Sequence, residues 1–255
     1  MKLITLNTWG GKLYDPLLDF VRHAAEDTDV FCFQEMYQAP SDRIISRDMH
    51  SDIYGEIATN LKNHRGYFAP HLEGYDLNGK VDFPLKAGLA IFIKKDINVN
   101  ECDDLPVYGS GLEILDDGGI RAIPRNLQYI SFRAKGKNYL AAHFHGIWYP
   151  KTKVDSDDRI NQSVKIKEFL SERSEEKILC GDFNLLPTTQ SMLILEEGMI
   201  NLIKKHEIKT TRNKYYEREE KYADYVLVSP EIISRQFIAM DALVSDHLPL
   251  LLEFE

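Results

Sequence analysis

Six short stretches hold the residues whose types could do chemistry. "GDFN" supplies Asp182 and Asn184, "SDHLP" supplies Asp246 and His247, and "HFHG" supplies His143 and His145. Asn7 in "TLNTWG", Glu35 in "FCFQE" and Asp224 in "KYADYVLV" complete the set. Glu35, Asp182 and Asp246, with no cysteine beside them, suit a hard cation with oxygen ligands, magnesium or manganese before zinc. Repulsion among the carboxylates would be relieved by such an ion, and histidines beside it would donate to a developing anionic oxygen.

Each residue also has a plainer reading. Asn7 before Thr8-Trp9-Gly10 suits an Asx turn, and Glu35 a solvated strand terminus. Asp224 can simply begin a strand, and Asp246-His247 before Leu248-Pro249 a turn. What outweighs these readings is position, because every one of these residues stands at the end of an apolar run that reads as a strand. Loops at strand ends form clefts, so distant segments can converge there. Asp182 and Asn184, two apart, face the same way, and Phe183 between them points to the core.

The elements that must hold them follow from periodicity. "KLITLN" predicts a strand over 2–7, and Asp15-Pro16 a helix start with Leu17, Leu18 and Val21 on its apolar face. "DVFCFQE" predicts a strand covered on both faces. A helix over 52–62, a strand over 88–95 and a hairpin of "NLQYISFRA" with "NYLAAHFHG" come next. A helix through "DSDDRINQSVKIKEFLSER" should bury Ile160, Val164, Ile166, Phe169 and Leu170. "KILCGDFN", a short helix and two last strands finish the chain, while "RNKYYEREEK" reads as a solvated loop. Strands alternating with helices and hairpins give a mixed α/β class, two packed sheets with helices outside. Shared site residues near both termini imply one domain over 1–255.

Composition narrows the functions. The 255 residues are 44% hydrophobic, enough for a sizeable core, and the formal net charge is -9. That charge argues against non-specific attraction to nucleic acid or anionic membrane. No apolar run approaches the ~20 residues that span a bilayer, and the first residues do not read as a secretory leader, so a cytoplasmic protein without membrane contact is expected. Cys32, Cys102 and Cys180 lack metal-ligand spacing and read as free thiols.

"TLNTWG", "FCFQE", "HFHG", "GDFN", "YADYVLVS" and "SDHLPL", in this order and over nearly the whole chain, resemble the endonuclease/exonuclease/phosphatase superfamily. The resemblance implies an α/β four-layer sandwich, two mixed β-sheets flanked by helices, and a magnesium-dependent hydrolase of phosphate esters. By position it implies that Glu35 is the main metal ligand, supported by Asn7 and Asp246. Asp182 orients or deprotonates the attacking water, and Asn184 helps hold that water and the phosphate. His247, oriented by Asp224, and His145 stabilise the phosphoryl group. Arg159 and Gln162 resemble the "R..Q" that often follows the first histidine, though a surface salt bridge would also explain Arg159. His143 departs from the pattern and could be a second ligand.

The substrate, a small phosphate ester or a nucleic acid, stays open at this level, and a monomer is expected. Lys80, Lys86, Arg121 and Arg125 are candidate contacts for a polyphosphate. The stretches from His71 to Lys86 and from Tyr108 to Arg125 are expected to shape the pocket.

Overall fold

The fold is known from a computed structural model that describes residues 1–109, 111–114, 120–149 and 152–255, with backbone alone at 113, 114, 120 and 121. Twelve strands build two six-stranded sheets. They are β1 (Lys2–Asn7), β2 (Val30–Gln38), β3 (His64–Glu73), β4 (Lys86–Lys94), β5 (Asn98–Tyr108), β6 (Arg125–Ala134), β7 (Lys137–His145), β8 (Glu176–Asp182), β9 (Ile200–Asn201), β10 (Asp224–Val228), β11 (Ser234–Ala239) and β12 (Leu250–Phe254). The first sheet runs β11-β12-β1-β2-β4-β3 and the second β9-β10-β8-β7-β6-β5. Each is mixed: β1 lies parallel to β2, and β7 parallel to β8, while the other neighbours are antiparallel.

Alternation along the strands builds the layers. Ile4, Leu6, Phe31 and Phe33 turn outward and pack with Leu17, Val21, Ile53 and Ile57 of helices α1 (Tyr14–Ala24) and α2 (Ile53–Asn60). Their neighbours Leu3 and Cys32 turn inward and join Ala141, Ile178 and Cys180 of the second sheet in one core. Ile166 and Leu170 of α3 (Asp157–Ser171) and Met192 and Leu195 of α4 (Gln190–Glu196) close that core from the far side. The architecture is thus the four-layer sandwich the motifs implied. Cys32, Cys102 and Cys180 are all free. Among the described residues no helix is long and apolar enough to cross a membrane.

The helix after "HFHG" differs from its predicted face. Its buried stripe is Arg159, Gln162, Ser163, Ile166 and Leu170, whereas Val164 is exposed and Ile160 only half-buried. The stripe begins with two polar residues because they hold a loop, not because they pack a core. The Arg159 guanidinium donates to the carbonyls of Ile147, Trp148, Thr152 and Val154, and Gln162 Oε1 accepts from the Ile147 amide. Arg159 is therefore no surface ion-pair residue. It fixes the segment that leaves β7 toward the site.

Candidate active site

The two parallel pairs are the key to the site. β1 and β2 end side by side in the first sheet, β7 and β8 in the second, and all four carboxyl ends meet at one edge of the sandwich. Asn7, His145 and Asp182 are the last residues of their strands, whereas Glu35, expected at a strand terminus, lies inside β2 just past the point where β1 stops pairing with it. His145 and Asp182 stand in register as neighbours, and Asp224 opens β10 opposite Asp182.

Glu35 owes its position to an irregularity. The β2–β4 register shifts between Phe33 and Met36, and Glu35 takes a left-handed backbone with φ 55°. A bulge of this kind re-aims a side chain. Trp9 (φ 53°) and Asn184 (φ 52°) share the left-handed conformation. Non-glycine residues held there cluster where the surrounding structure enforces a site. Glycine is required just before Asp182: Gly181 has φ 123°, and a Cβ there would stand 2.3 Å from the Phe144 carbonyl oxygen.

Asp182 is the hub. Its Oδ2 lies 3.1 Å from Asn7 Nδ2, 3.6 Å from both His145 Nε2 and His247 Nε2, and 4.0 Å from an Arg212 Nη. Its Oδ1 accepts the Asn184 amide at 3.0 Å. Burial would raise this carboxyl, but His247, His145, Arg212 and Lys153 outweigh it and hold it well below the usual range. Asn7 also donates to Glu35 Oε1 at 3.0 Å, and its own Oδ1 accepts the Trp9 amide. The Asx turn expected of Asn7 is therefore present together with the bridging role, and the two uses fix the amide's orientation.

His247 is held by Asp224, whose two carboxylate oxygens lie 2.8 and 2.9 Å from Nδ1. Burial and Arg212 press the imidazole down, but Asp224, Asp246 and Asp182 press harder and raise it above its ordinary value. His145 goes the other way, pushed far down by burial and then by Arg125, whose Nη1 approaches His145 Nδ1 at 3.5 Å. With Nδ1 facing a guanidinium, His145 carries its proton on Nε2, toward Asp182 and Glu35. The two histidines thus flank one carboxylate with opposite tendencies.

His143 does not join them. Fully buried one pleat deeper, it bonds Gln34 Nε2 at 2.9 Å across the sheets and Gln128 Oε1 at 2.8 Å within its own. Burial lowers it to about 3, so it is a neutral core residue rather than a ligand.

Arg212 was not singled out by sequence. Placed in the stretch that reads as a solvated loop, it is instead 8% exposed, donates to Asp246 Oδ2 at 2.8 Å and to His247 Nε2, and lies under the Tyr216 ring at 4.1 Å. No local signal in the sequence marks it, because what holds it is a tertiary contact of the residue before it. Thr211 Oγ1 accepts the amides of Ala223 and Asp224, tying the segment to the start of β10. Lys153 is buried nearby over the Tyr216 ring, and burial followed by Arg212 brings its ammonium down to about 8.

All of this opens into a cleft of about 470 Å³, whose walls include Trp9, Trp148 and Tyr216. Of the basic residues proposed as contacts, Arg125 lines it, Lys80 and Lys86 do not, and the Arg121 side chain lies outside the described residues. His71, Leu72 and Tyr75 come from the first pocket-shaping stretch, and Tyr108, Ala122 and Ile123 from the second, of which 110 and 115–119 are not described.

Asp182, Asp224 and His247 offer ligand atoms within 4.8 Å of one another. Asp224 commits both oxygens to His247 Nδ1, however, so that triplet is a hydrogen-bonded relay. The donor chemistry fits a hard cation better at Glu35. Among the described residues only its Oε1 accepts a hydrogen bond, from Asn7, and burial, Asp246 and Asp182 together raise its carboxyl, a repulsion that a cation would remove.

No curated protein sequence matches the chain. Solved structures do. A mannosyl-6-phosphatase from Bacteroides thetaiotaomicron is similar at 18% identity, covering 100% of this chain and 99% of that one, with a TM-score of 0.67. A humanized D. rerio TDP2 is similar at 15% identity, 100% and 98% coverage and a TM-score of 0.68. The human Nocturnin catalytic domain with bound sulfate is similar at 16%, 100% and 94%, and 0.66. These likenesses speak for the fold. The Endonuclease/Exonuclease/phosphatase family model matches residues 4–247, nearly the whole sandwich with every strand-end residue described above, and the chain belongs to that family.

Proposed function

We propose that the protein is a divalent-metal-dependent hydrolase of a small phosphate ester, with magnesium the fitting ion and manganese a second choice. The observation that carries this reading is the surround of Asp182: an amide, two imidazoles and a guanidinium converge on one carboxylate at the floor of a cleft. Glu35 and Asp246 would hold the cation, with Asn7 fixing Glu35 against Asp182. Bound there, the ion would polarise the phosphoryl oxygens and offset their charge.

The chain's own residues supply the rest. So firmly ionised a carboxylate as Asp182 is a weak base at the outset. It orients the attacking water in line with the scissile bond and takes its proton as the new oxygen–phosphorus bond forms and the water acidifies. Asn184, its backbone pinned to Asp182, helps seat that water and a phosphoryl oxygen. His145 donates from Nε2 as a neutral imidazole, and Asp224 holds His247 so that its Nε2 meets the opposite oxygen. Arg212 Nη1 lies at that Nε2, and a phosphoryl oxygen between them would let both groups donate to it. The phosphorus–oxygen ester bond breaks, the leaving oxygen takes a proton from water to depart as the alcohol, and Asp182 returns its own proton to solvent.

The size of the cleft favours a small ester, and a mannosyl-6-phosphatase shares the fold. A nuclease acting on single-stranded nucleic acid is the second reading, favoured by Trp9, Trp148 and Tyr216 in the walls, rings on which bases stack. The test is release of nitrophenol from p-nitrophenyl phosphate and bis(p-nitrophenyl) phosphate in magnesium, beside nicking of supercoiled plasmid, each with a chelator and with Asp182→Asn. Chelator-sensitive turnover of either ester that Asp182→Asn abolishes supports the reading; nicking without ester turnover favours the nuclease; neither in any metal refutes both.

A further inference from the structure

On the far side of His145 from Asp182 the cleft contains a cation that no carboxylate described above pairs with. Arg125 opens β6 and is only 6% exposed. Among the described residues its one polar contact is the 3.5 Å approach to His145, and no carboxylate lies within 4.0 Å of its guanidinium. Burial lowers this guanidinium, and the more distant Glu35 and Asp182 offset only part of that cost. Its fork of donors matches an oxyanion in two-point contact.

His71 lines the same cleft and feels the charge of Arg125. Its Nδ1 is buried without a hydrogen-bond partner, and its imidazole is pushed down to about 3 by burial and then by Arg125. Both residues sit where strand pairing slips. The β3–β4 register shifts between Pro70 and Leu72, leaving His71 as the extra residue, and the β5–β6 register shifts between Arg125 and Asn126. Such bulges turn side chains out of a sheet's regular alternation, here toward one end of one cleft. Arg47, exposed, also lines the cleft.

The charge of the cleft agrees. Lys12, Arg47, Arg125, Lys153, Arg212 and Arg218 line it against four acids, Glu35, Asp76, Asp182 and Asp246, in a chain whose net charge is -9. A divalent ion at Glu35 would widen that local excess. One phosphoryl group held between His145, His247 and Arg212 cannot also fill the fork of Arg125 across the imidazole ring.

We propose that Arg125 and His71 form a subsite for a second phosphoryl group, so that the substrate is a bisphosphorylated small molecule, one phosphate cleaved and the other held for orientation. This rests on the phosphoesterase reading for the cleaved group, while the subsite itself is a matter of binding. Guanidinium donates two N–H bonds to the second phosphate, and His71, neutral, donates one.

The test is calorimetric titration of the full chain in magnesium with matched pairs: adenosine 3′,5′-bisphosphate against adenosine 5′-monophosphate, and fructose 1,6-bisphosphate against fructose 6-phosphate. At least one bisphosphate should bind tenfold or more tightly than its monophosphate. Arg125→Gln should erase that advantage, costing the bisphosphate at least tenfold more affinity than any loss it causes for the monophosphate through His145, while Arg125→Lys should retain part of it and His71→Asn reduce it. Retained monophosphate binding shows that a variant is folded. Equal binding of both members of each pair, or an advantage that survives Arg125→Gln, overturns the subsite. Turnover followed in the same samples tests the hydrolase reading separately: tight bisphosphate binding without turnover leaves the subsite standing and sinks the hydrolysis.

Discussion

Asn7 Nδ2 and Asp182 Oδ2, 175 residues apart in sequence, meet at 3.1 Å and join the central strand ends of the two sheets. Because Asn7 also donates to Glu35, one amide sets the spacing between the carboxylate aimed at a cation and the one aimed at water. Asn7→Asp would put a third acid between them and Asn7→Leu would release both. Either change should lower turnover of the responsive ester by ~10²-fold or more, since misplacing a reacting group is costly even without removing it. Steady-state kinetics, with the melting temperature as a fold control, measure the effect. Retained wild-type kcat in Asn7→Leu would remove Asn7 from the machinery.

Asp182→Asn replaces a carboxylate by an isosteric amide in a place built of donors. The buried surround keeps its shape, but water loses its acceptor and the two histidines their counter-charge. Hydrolysis should fall by about 10²–10⁴-fold, the usual span for a positioned acid–base group, with near-UV circular dichroism unchanged. Wild-type turnover in this variant would show that water is oriented by another residue.

Glu35 should trade stability for binding. Its carboxyl is raised by burial and by Asp246 and Asp182, so its charge strains the metal-free protein. Glu35→Gln should therefore stabilise the metal-free form by roughly 0.5–2 kcal/mol while shifting half-maximal activity to at least tenfold more magnesium. Calorimetric melts with and without the ion check both halves. Wild-type magnesium dependence in Glu35→Gln would move the cation elsewhere.

How far the sequence could be read depends on where each signal lies. The strand ends were legible because "GDFN" and "SDHLP" place acids, amides and imidazoles directly after apolar runs, a local pattern. His143 and His145 show the limit: both alternate to the inner face, and only the packed sheets reveal that Gln34 and Gln128 enclose the first while the second reaches the cleft. Arg212 was hidden for the opposite reason. A run of charges reads as solvated, and nothing local tells that Thr211, by bonding the start of β10, pulls the residue after it beneath Tyr216. Arg159 combines both effects, since its partners are backbone carbonyls and carbonyls leave no mark in a sequence.

Acid stability follows from His143. In the unfolded chain its imidazole takes a proton near the ordinary value; in the fold it does so only near 3, because burial penalises the charged form. Between those values unfolding takes up a proton, so stability is full above about pH 6.5 and falls as pH drops toward 3, by up to about 1.4 kcal/mol per pH unit for this one group. His71 adds to the same trend with its own value near 3. His143→Gln keeps an acceptor for Gln34 and a donor for Gln128 but cannot titrate, so its melting temperature should fall less between pH 7 and pH 4 than that of the wild type. Parallel curves for the two proteins would mean that the proton goes elsewhere, and that the polar ladder between the sheets does not govern acid unfolding.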